Sequence, residues 1–178
     1  MRHSLLIFVV IFIVFGVCAV AQAETAPPAD AWAPFRFLVG NWTGVGSGQP
    51  GEGVGTTSFA FDLGHNILVR KSKVEFPPKP GEKTGPLHED LMIVYAQLTD
   101  STYRAIYFDN EGHVINYRVA FPEKQPSVVF ESEGDDKTPR FRLTYEPGPN
   151  GLLASEFAIA SPGGSFRTYI KGTARRSE

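Results

Sequence analysis

Cysteine is almost absent from this chain of 178 residues, since the one copy, Cys18, lies in an apolar segment near the N-terminus. If that segment is removed, the remaining domain has no disulfide and no thiol. This excludes cysteine nucleophiles, zinc–thiolate sites and iron–sulfur clusters. The domain must then be stable through burial alone, which a single core of this size allows.

A strong excess of charge of one sign is also missing. The formal net charge is −2, and most lysines and arginines stand singly between apolar residues. The pair Arg175–Arg176 is too small a cluster to form a nucleic-acid footprint. We therefore predict no nucleic-acid partner.

Catalytic motifs are missing as well. The chain has no Gly-x-Ser-x-Gly sequence, and the segment 161–165 has the composition of a turn. The glycine-rich segments 44–48 and 51–53 are followed by neither a helix nor the Lys-Ser/Thr pair of a phosphate-binding loop. Because no base, nucleophile and oxyanion donor can be assembled, we predict no catalysis.

The N-terminus has the pattern of a secretory leader. Arg2 and His3 precede an apolar run, Leu5 to Val20, and Ala21-Gln22-Ala23 supplies the small residues of a cleavage site. We predict a signal peptide over residues 1–23, cleaved after Ala23, and a periplasmic or secreted protein with no membrane span after processing. The run of about 16 residues is shorter than the roughly 20 that cross a bilayer, although a retained anchor is the alternative.

Residues 24–34 have the composition of a flexible lead-in, in which Trp32 is either a plug or part of a short helical turn. Residues 35–176 form one predicted domain whose polar and apolar residues alternate with period two. With the segment around Trp42, the predicted strands number about ten: 53–63, 67–76, 91–98, 102–109, 113–121, 128–131, 140–146, 152–160 and 166–174. Pro77 to His88 is predicted to be a long connection at a rim.

This pattern predicts an all-β fold, a single antiparallel up-and-down β-barrel, because closing the meander removes both exposed edges. A barrel of eight to ten strands is about the size that admits a small ligand. A sandwich of two sheets is the alternative.

The opening Phe37-Leu38-Val39-Gly40-Asn41-Trp42-Thr43-Gly44-Val45-Gly46 resembles the Phe-Leu-x-Gly-x-Trp-x-Gly-x-Gly start of nitrobindin-like haem-binding barrels. It is also similar to the start of short, secreted bacterial calycin (lipocalin-like) proteins of unknown function, as are the segments 103–112 and 168–175. The resemblance implies that Gly40 and Trp42 close one end of the barrel, with Arg175 or Arg176 stacked on the indole.

The haem ligand of nitrobindin-like proteins, a histidine on a late strand, has no counterpart here. The last histidine of this chain is His113, so the resemblance transfers no haem ligand to any position. We predict no cofactor, with haem as the alternative that the resemblance raises and the missing late-strand histidine weakens.

Candidate ligand-binding residues lie on the predicted strands 91–98, 102–109 and 113–121. Tyr95, Tyr107 and Tyr117 can direct hydroxyl groups toward a cavity, and His113 shares a strand face with Tyr117. Arg70 can supply one inward cation for an acidic headgroup, with an outward, solvated position as the alternative. A ligand site on these three strands requires the side chains of His113 and Tyr117 to face inward, together with that of either Tyr95 or Tyr107.

The remaining two histidines of the predicted mature chain carry no site. His65 lies in a turn, and His88 precedes Glu89 and Asp90, but neighbouring residues on a strand point to opposite faces. We predict no metal site.

Three functions remain open. The first is an exported barrel that holds a small apolar or amphipathic molecule, which follows from the compartment, the predicted fold and the missing catalytic groups. The second is an isomerase or hydrolase that uses His113 with Tyr107 or Tyr117 as acid and base. The third is a filled barrel that serves as a structural or envelope-interaction module.

Overall fold

The computed structural model describes residues 31–45, 54–97, 102–123, 126–135 and 137–177. The predicted signal peptide, most of the lead-in and the glycine-rich residues 46–53 lie outside the described residues. Among the described residues, a 3-10 turn at Ala33–Phe35 precedes ten strands. A second 3-10 turn, Pro149–Gly151, separates the eighth and ninth strands. The strands are β1 Gly40–Gly44, β2 Val54–Asp62, β3 Ile67–Glu75, β4 Leu87–Gln97, β5 Thr102–Asp109, β6 Val114–Ala120, β7 Val128–Ser132, β8 Arg140–Pro147, β9 Leu153–Ala160 and β10 Arg167–Arg176.

The strands form a closed antiparallel barrel in which each strand pairs with its neighbours in the chain, and β1 also pairs with β10. Closure gives every strand two partners, so the barrel has no unpaired edge. The predicted up-and-down barrel is confirmed, and the sandwich alternative is excluded. Among the described residues, no helix is long and apolar enough to cross a membrane.

The register determines which residues face the interior. Each of the five neighbouring strands β2 to β6 contributes an inward residue that is no more than 2% exposed: Phe59, Leu68, Val94, Ala105 and Tyr117. Because side chains alternate along a strand, each neighbouring residue faces outward. Aromatic side chains from many strands fill much of the interior: Trp42, Phe59, Phe130 and Tyr145 are buried, and Phe61, Tyr107, Phe121 and Phe141 pack against them.

One end of the barrel is closed by the segment before β1. Trp32 and Phe35 are 4% and 0% exposed, and their rings contact those of Phe61, Tyr103 and Phe121. The hydroxyl of Tyr103 donates a hydrogen bond to the carbonyl of Ala31. Residues 31–34 are therefore packed against the barrel, whereas the sequence predicted a flexible lead-in as far as residue 34.

Trp42 also lies at this closed end. Its indole Nε1 donates to the carbonyl of Leu38 at 2.7 Å, and the guanidinium carbon of Arg176 lies 4.6 Å from the ring centroid. Arg176 additionally donates to the carbonyl of Val39 at 2.7 Å. Arg176 is the cross-strand partner of Trp42, whereas Arg175 pairs with the outward Thr43, so Arg176 and not Arg175 is the stacked residue.

Gly40 is required beside this stack. Its φ of +133° is one that other residues rarely adopt, and a Cβ placed there would lie 2.4 Å from Nη1 of Arg176. The Gly-x-Trp sequence is thus explained by the close approach of the guanidinium to the backbone.

Candidate functional site

A buried ion pair lies on the inward face of the barrel. Nη1 of Arg70 donates to Oδ1 of Asp90 at 2.7 Å, and Nη2 donates to Oδ2 at 3.4 Å. The two side chains are 10% and 5% exposed. The ring centroid of Tyr145 lies 5.8 Å from the guanidinium carbon. Charged groups rarely lie this deep unless they are paired.

Strand register brings the two charges together. Asp90 is the cross-strand partner of Ser72, two residues from Arg70 on the same face of β3. A long arginine side chain spans such a diagonal distance. Asp90 takes one N–H of each terminal nitrogen of Arg70. Among the remaining donors of the guanidinium, Nε is buried and has no hydrogen-bond partner among the described residues.

Further polar side chains extend the pair toward the end of the barrel where β4 begins and β5 ends, which we call the far end. Nε2 of His88 lies 3.6 Å from Oδ2 of Asp90 and 3.3 Å from the hydroxyl of Tyr107. The same hydroxyl donates to Oδ2 of Asp109 at 3.3 Å. Asp109 is in turn 2.8 Å from Nδ1 of His113. We call these six residues the polar network: Arg70, His88, Asp90, Tyr107, Asp109 and His113.

The network runs from the interior to solvent. The side chains of Asp90 and Asp109 are 5% and 4% exposed, that of His88 is 27% exposed and that of His113 is 63% exposed. Tyr107 is half-buried between them. A molecule arriving at the far end can therefore reach the network without passing the segment that closes the opposite end.

His113 lies at a rim, as predicted, but outside the strand that it was predicted to open. It lies in the turn before β6, which begins at Val114. Oδ1 of Asp109 accepts hydrogen bonds from the backbone N–H groups of Glu111 and His113 at 3.0 and 2.9 Å, while Gly112 adopts a φ of +92°. These contacts hold His113 in the turn, so it contacts the network from the rim and does not line the inner wall.

The other predicted site residues divide between the two faces. Tyr117 is 2% exposed and faces inward, with its ring centroid 6.5 Å from that of Tyr107. Tyr95 lies next to the inward Val94 in β4 and so faces outward, where it lines a depression of about 320 Å³ with Arg104 and Glu133. The structure therefore brings Arg70, Tyr107 and Tyr117 together inside and leaves Tyr95 outside.

Burial and charge set the protonation of the network. Tyr145 and Asp90 outweigh desolvation and keep the pKa of Arg70 above its ordinary value. Burial raises the pKa of Asp90, with part of that rise offset by Arg70 and His88. Burial also raises the pKa of Tyr107 and of Tyr117, so both phenols keep their protons and can donate hydrogen bonds.

Asp109 behaves differently. Burial raises its pKa, but hydrogen bonds from His113 and the backbone of Glu111 outweigh that effect and hold the pKa below the ordinary value. Asp109 is therefore a carboxylate at neutral pH, and it fixes the orientation of both Tyr107 and His113.

Sequence reasoning missed Asp90 and Asp109 and gave His88 no site role. The prolines before residue 88 suggested a connection as far as His88, whereas β4 starts at Leu87, paired with Glu75 of β3. A usable signal was present, since an arginine on the inward face of β3 requires a nearby carboxylate, and Asp90 is the inward acid of the next strand.

A second, larger depression lies along β1 to β5. Its volume is about 830 Å³, and its lining includes two rows of outward residues and, between them, the inward residues Trp42, Thr57, Ser72, Asp90 and Asp109. The rows are Asn41, Ser58, Lys71, Leu91 and Phe108, and Thr43, Thr56, Lys73 and Glu89. In the part of the chain that the structure describes, no group of three or more His, Cys, Asp or Glu side chains is arranged to hold a metal ion.

No known protein family matches this chain, and no curated protein matches it. Among solved structures, the crystal structure of Rv2717c from M. tuberculosis is similar, with a TM-score of 0.55 and 13% sequence identity. The likeness covers 84% of this chain and 99% of that chain. At this identity the comparison shows a common barrel fold alone.

Proposed function

We propose that this protein is an exported barrel that binds a small amphipathic molecule at its far end. The ligand's polar group lies against the polar network, and its apolar part lies against the side chains around it. The leader over residues 1–23 supports export. A closed barrel of ten strands is of a size that can hold a small ligand, so the fold supports a binding role by analogy.

The buried pair of Arg70 and Asp90, with its unpaired Nε, carries the proposal. Desolvating two charges costs several kcal/mol per ion, and apolar residues of similar volume often stabilise a core as well or better. A barrel that only needed to be filled would gain little from such a pair. A buried donor without a partner also costs about 1–3 kcal/mol, which an acceptor on a ligand would recover.

The surroundings of the network suit the apolar part of a ligand. Val74 is the cross-strand partner of His88, and Ile115 is the partner of Tyr107. Both are half-buried at the far end. A mostly apolar surface with a few convergent polar groups is typical of small-molecule sites, and the network with these neighbours has that composition.

The proposal is tested with N-phenyl-1-naphthylamine, a neutral dye whose fluorescence rises in apolar surroundings. Two adjacent residues of β5 provide a matched pair of variants, because Tyr107 faces inward and Phe108 faces outward and is 38% exposed. We expect the wild type to bind the dye and Tyr107→Ala to bind it about 10- to 100-fold more weakly, since a buried aromatic contact contributes about 1.5–3 kcal/mol. Phe108→Ala should bind as the wild type does.

Two results would contradict the proposal. Loss of binding in Phe108→Ala but not in Tyr107→Ala would place the dye on the outer face. No binding by the wild type, together with no small molecule retained in native mass spectra of protein purified from its host, would favour the filled-barrel module.

The contacts of Tyr107 favour a second candidate, a proton-transfer enzyme. Its hydroxyl lies 3.3 Å from both His88 Nε2 and Asp109 Oδ2, and Asp109 orients His113 at 2.8 Å. A protonated phenol beside an imidazole can act as a general acid. For an isomerase or hydrolase substrate, His88→Ala should abolish turnover, because His88 is the imidazole in contact with the Tyr107 hydroxyl, while the far-UV circular dichroism spectrum stays unchanged.

A further inference from the structure

We infer that the polar group recognised at this site is an uncharged hydrogen-bond acceptor, such as a ketone or ester carbonyl, and not a carboxylate or phosphate. This inference rests on the proposed function and specifies its ligand class. The inference differs from the role that the sequence suggested for Arg70, which was to bind an acidic headgroup as an inward cation.

The first argument is the occupation of the guanidinium. Asp90 takes both terminal nitrogens of Arg70, at 2.7 and 3.4 Å, which is the two-pronged contact that a ligand carboxylate would otherwise make. The protein thus supplies its own anion. What remains is the second N–H of each terminal nitrogen and Nε, on a cation whose charge is already compensated. Of these, Nε is the one that is buried without a partner among the described residues. One neutral acceptor satisfies this Nε.

The second argument is the charge around that donor. Asp90 and Asp109 are both inward carboxylates, against one inward guanidinium in this part of the barrel. Each imidazole also faces acid: His88 lies 3.6 Å from Asp90 and 3.1 Å from Glu111, and His113 lies 2.8 Å from Asp109. Among the described network residues, no cation is left without a carboxylate partner. A ligand anion would therefore meet two carboxylates for each guanidinium.

The test compares three ligands with ten carbons each, 2-decanone, decanoate and decylammonium, as competitors of N-phenyl-1-naphthylamine at pH 7. We expect 2-decanone to bind the wild type at least tenfold more tightly than decanoate, and also more tightly than decylammonium. All competition should be weakened in Tyr107→Ala and retained in Phe108→Ala, which identifies the site.

A charge-matched pair of variants tests the cause. Asp90→Asn removes the carboxylate that occupies Arg70, so decanoate should bind at least tenfold more tightly than it binds the wild type. Glu89→Gln removes the same charge one residue away on the outward face of β4, where the residue is exposed, and should leave the ranking unchanged.

The outcomes separate the inference from the proposed function. Decanoate or decylammonium binding the wild type as tightly as 2-decanone, through Tyr107, would overturn the inference and leave the ligand-binding function standing. No competition by any of the three, with no dye binding, would overturn both. If Asp90→Asn does not fold, the ranking in the wild type decides by itself.

Discussion

Separating Arg70 from Asp90 by mutation should destabilise the barrel far more than removing an exposed ion pair. Both side chains are at most 10% exposed and joined by two hydrogen bonds. Removing one partner leaves an unpaired buried charge, which costs about 3–5 kcal/mol. For a domain of this size, each kcal/mol lowers the melting temperature by about 2–4 °C, so the single variants should melt roughly 6–20 °C lower.

The two single variants should differ. Asp90→Leu leaves a guanidinium that cannot lose its proton, whereas Arg70→Met leaves a carboxyl group that can bind one. Asp90→Leu should therefore cost more than Arg70→Met. The double variant, Arg70→Met with Asp90→Leu, removes both charges and should lie within about 1 kcal/mol of the wild type.

Urea unfolding at pH 7, followed by the fluorescence of Trp32 and Trp42, measures these free energies, since both indoles are 4% exposed. Lys73→Met is the control on the same strand, because the pair of Lys73 with Glu75 is 48% and 66% exposed and should contribute under about 1 kcal/mol. The reasoning fails if Asp90→Leu costs no more than Lys73→Met, or if the double variant costs the sum of the two single variants.

Three further predictions concern other parts of the barrel. Gly40→Ala should lower the free energy of unfolding by at least about 2 kcal/mol, because its φ is +133° and the new Cβ meets Arg176 at 2.4 Å; an effect below about 0.5 kcal/mol in urea unfolding would refute this. Arg176→Ala should cost about 1–2 kcal/mol through loss of the indole contact and the bond to Val39, and Arg175→Ala, its exposed neighbour, should cost almost nothing in the same assay. Because the folded pKa of Asp109 lies below its unfolded value, its contribution to stability is present above the unfolded pKa and is lost as the pH falls through the folded one. Asp109→Asn should therefore flatten the loss of stability below the unfolded pKa of 3.8. Asp90→Asn, whose pKa shift has the opposite sign, should instead steepen the loss of stability above that pH, where Asp90 of the wild type binds its proton in the folded state first; equal slopes for both variants in these two ranges would contradict these assignments.

The inward position of Tyr117 could be predicted because Ile115, Tyr117 and Val119 alternate with the polar Asn116 and Arg118. The sequence left Arg70 open between an inward and an outward position, and strand pairing decided it. Tyr95 could not be placed by alternation either. The segment 91–98 is apolar on both faces, so its sequence does not show which of its alternate residues face the interior. Pairing with β3 and β5 decides which residues face inward, and it places Tyr95 beside Arg104 on the outer face.

His113 was assigned to a strand because it continues the alternation of Ile115 and Tyr117. The carboxylate of Asp109, however, accepts hydrogen bonds from two backbone N–H groups of the turn, and these compete with the strand ladder. The strand therefore begins one residue later, and the histidine stays at the rim, where it is 63% exposed.

The sequence by itself determined the class of fold, because period-two alternation and turn residues between short segments are local properties of the chain. It also contained the contiguous Gly-x-Trp motif, although the reason for its glycine, the approach of Arg176 to Gly40, is a tertiary contact. Only the tertiary structure decided the site, since Arg70, Asp90 and Tyr107 lie on three different strands. Their contact depends on the register between those strands, and a shift of one residue would turn each side chain to the opposite face. Register is set by the whole closed barrel, so no local stretch of sequence contains it.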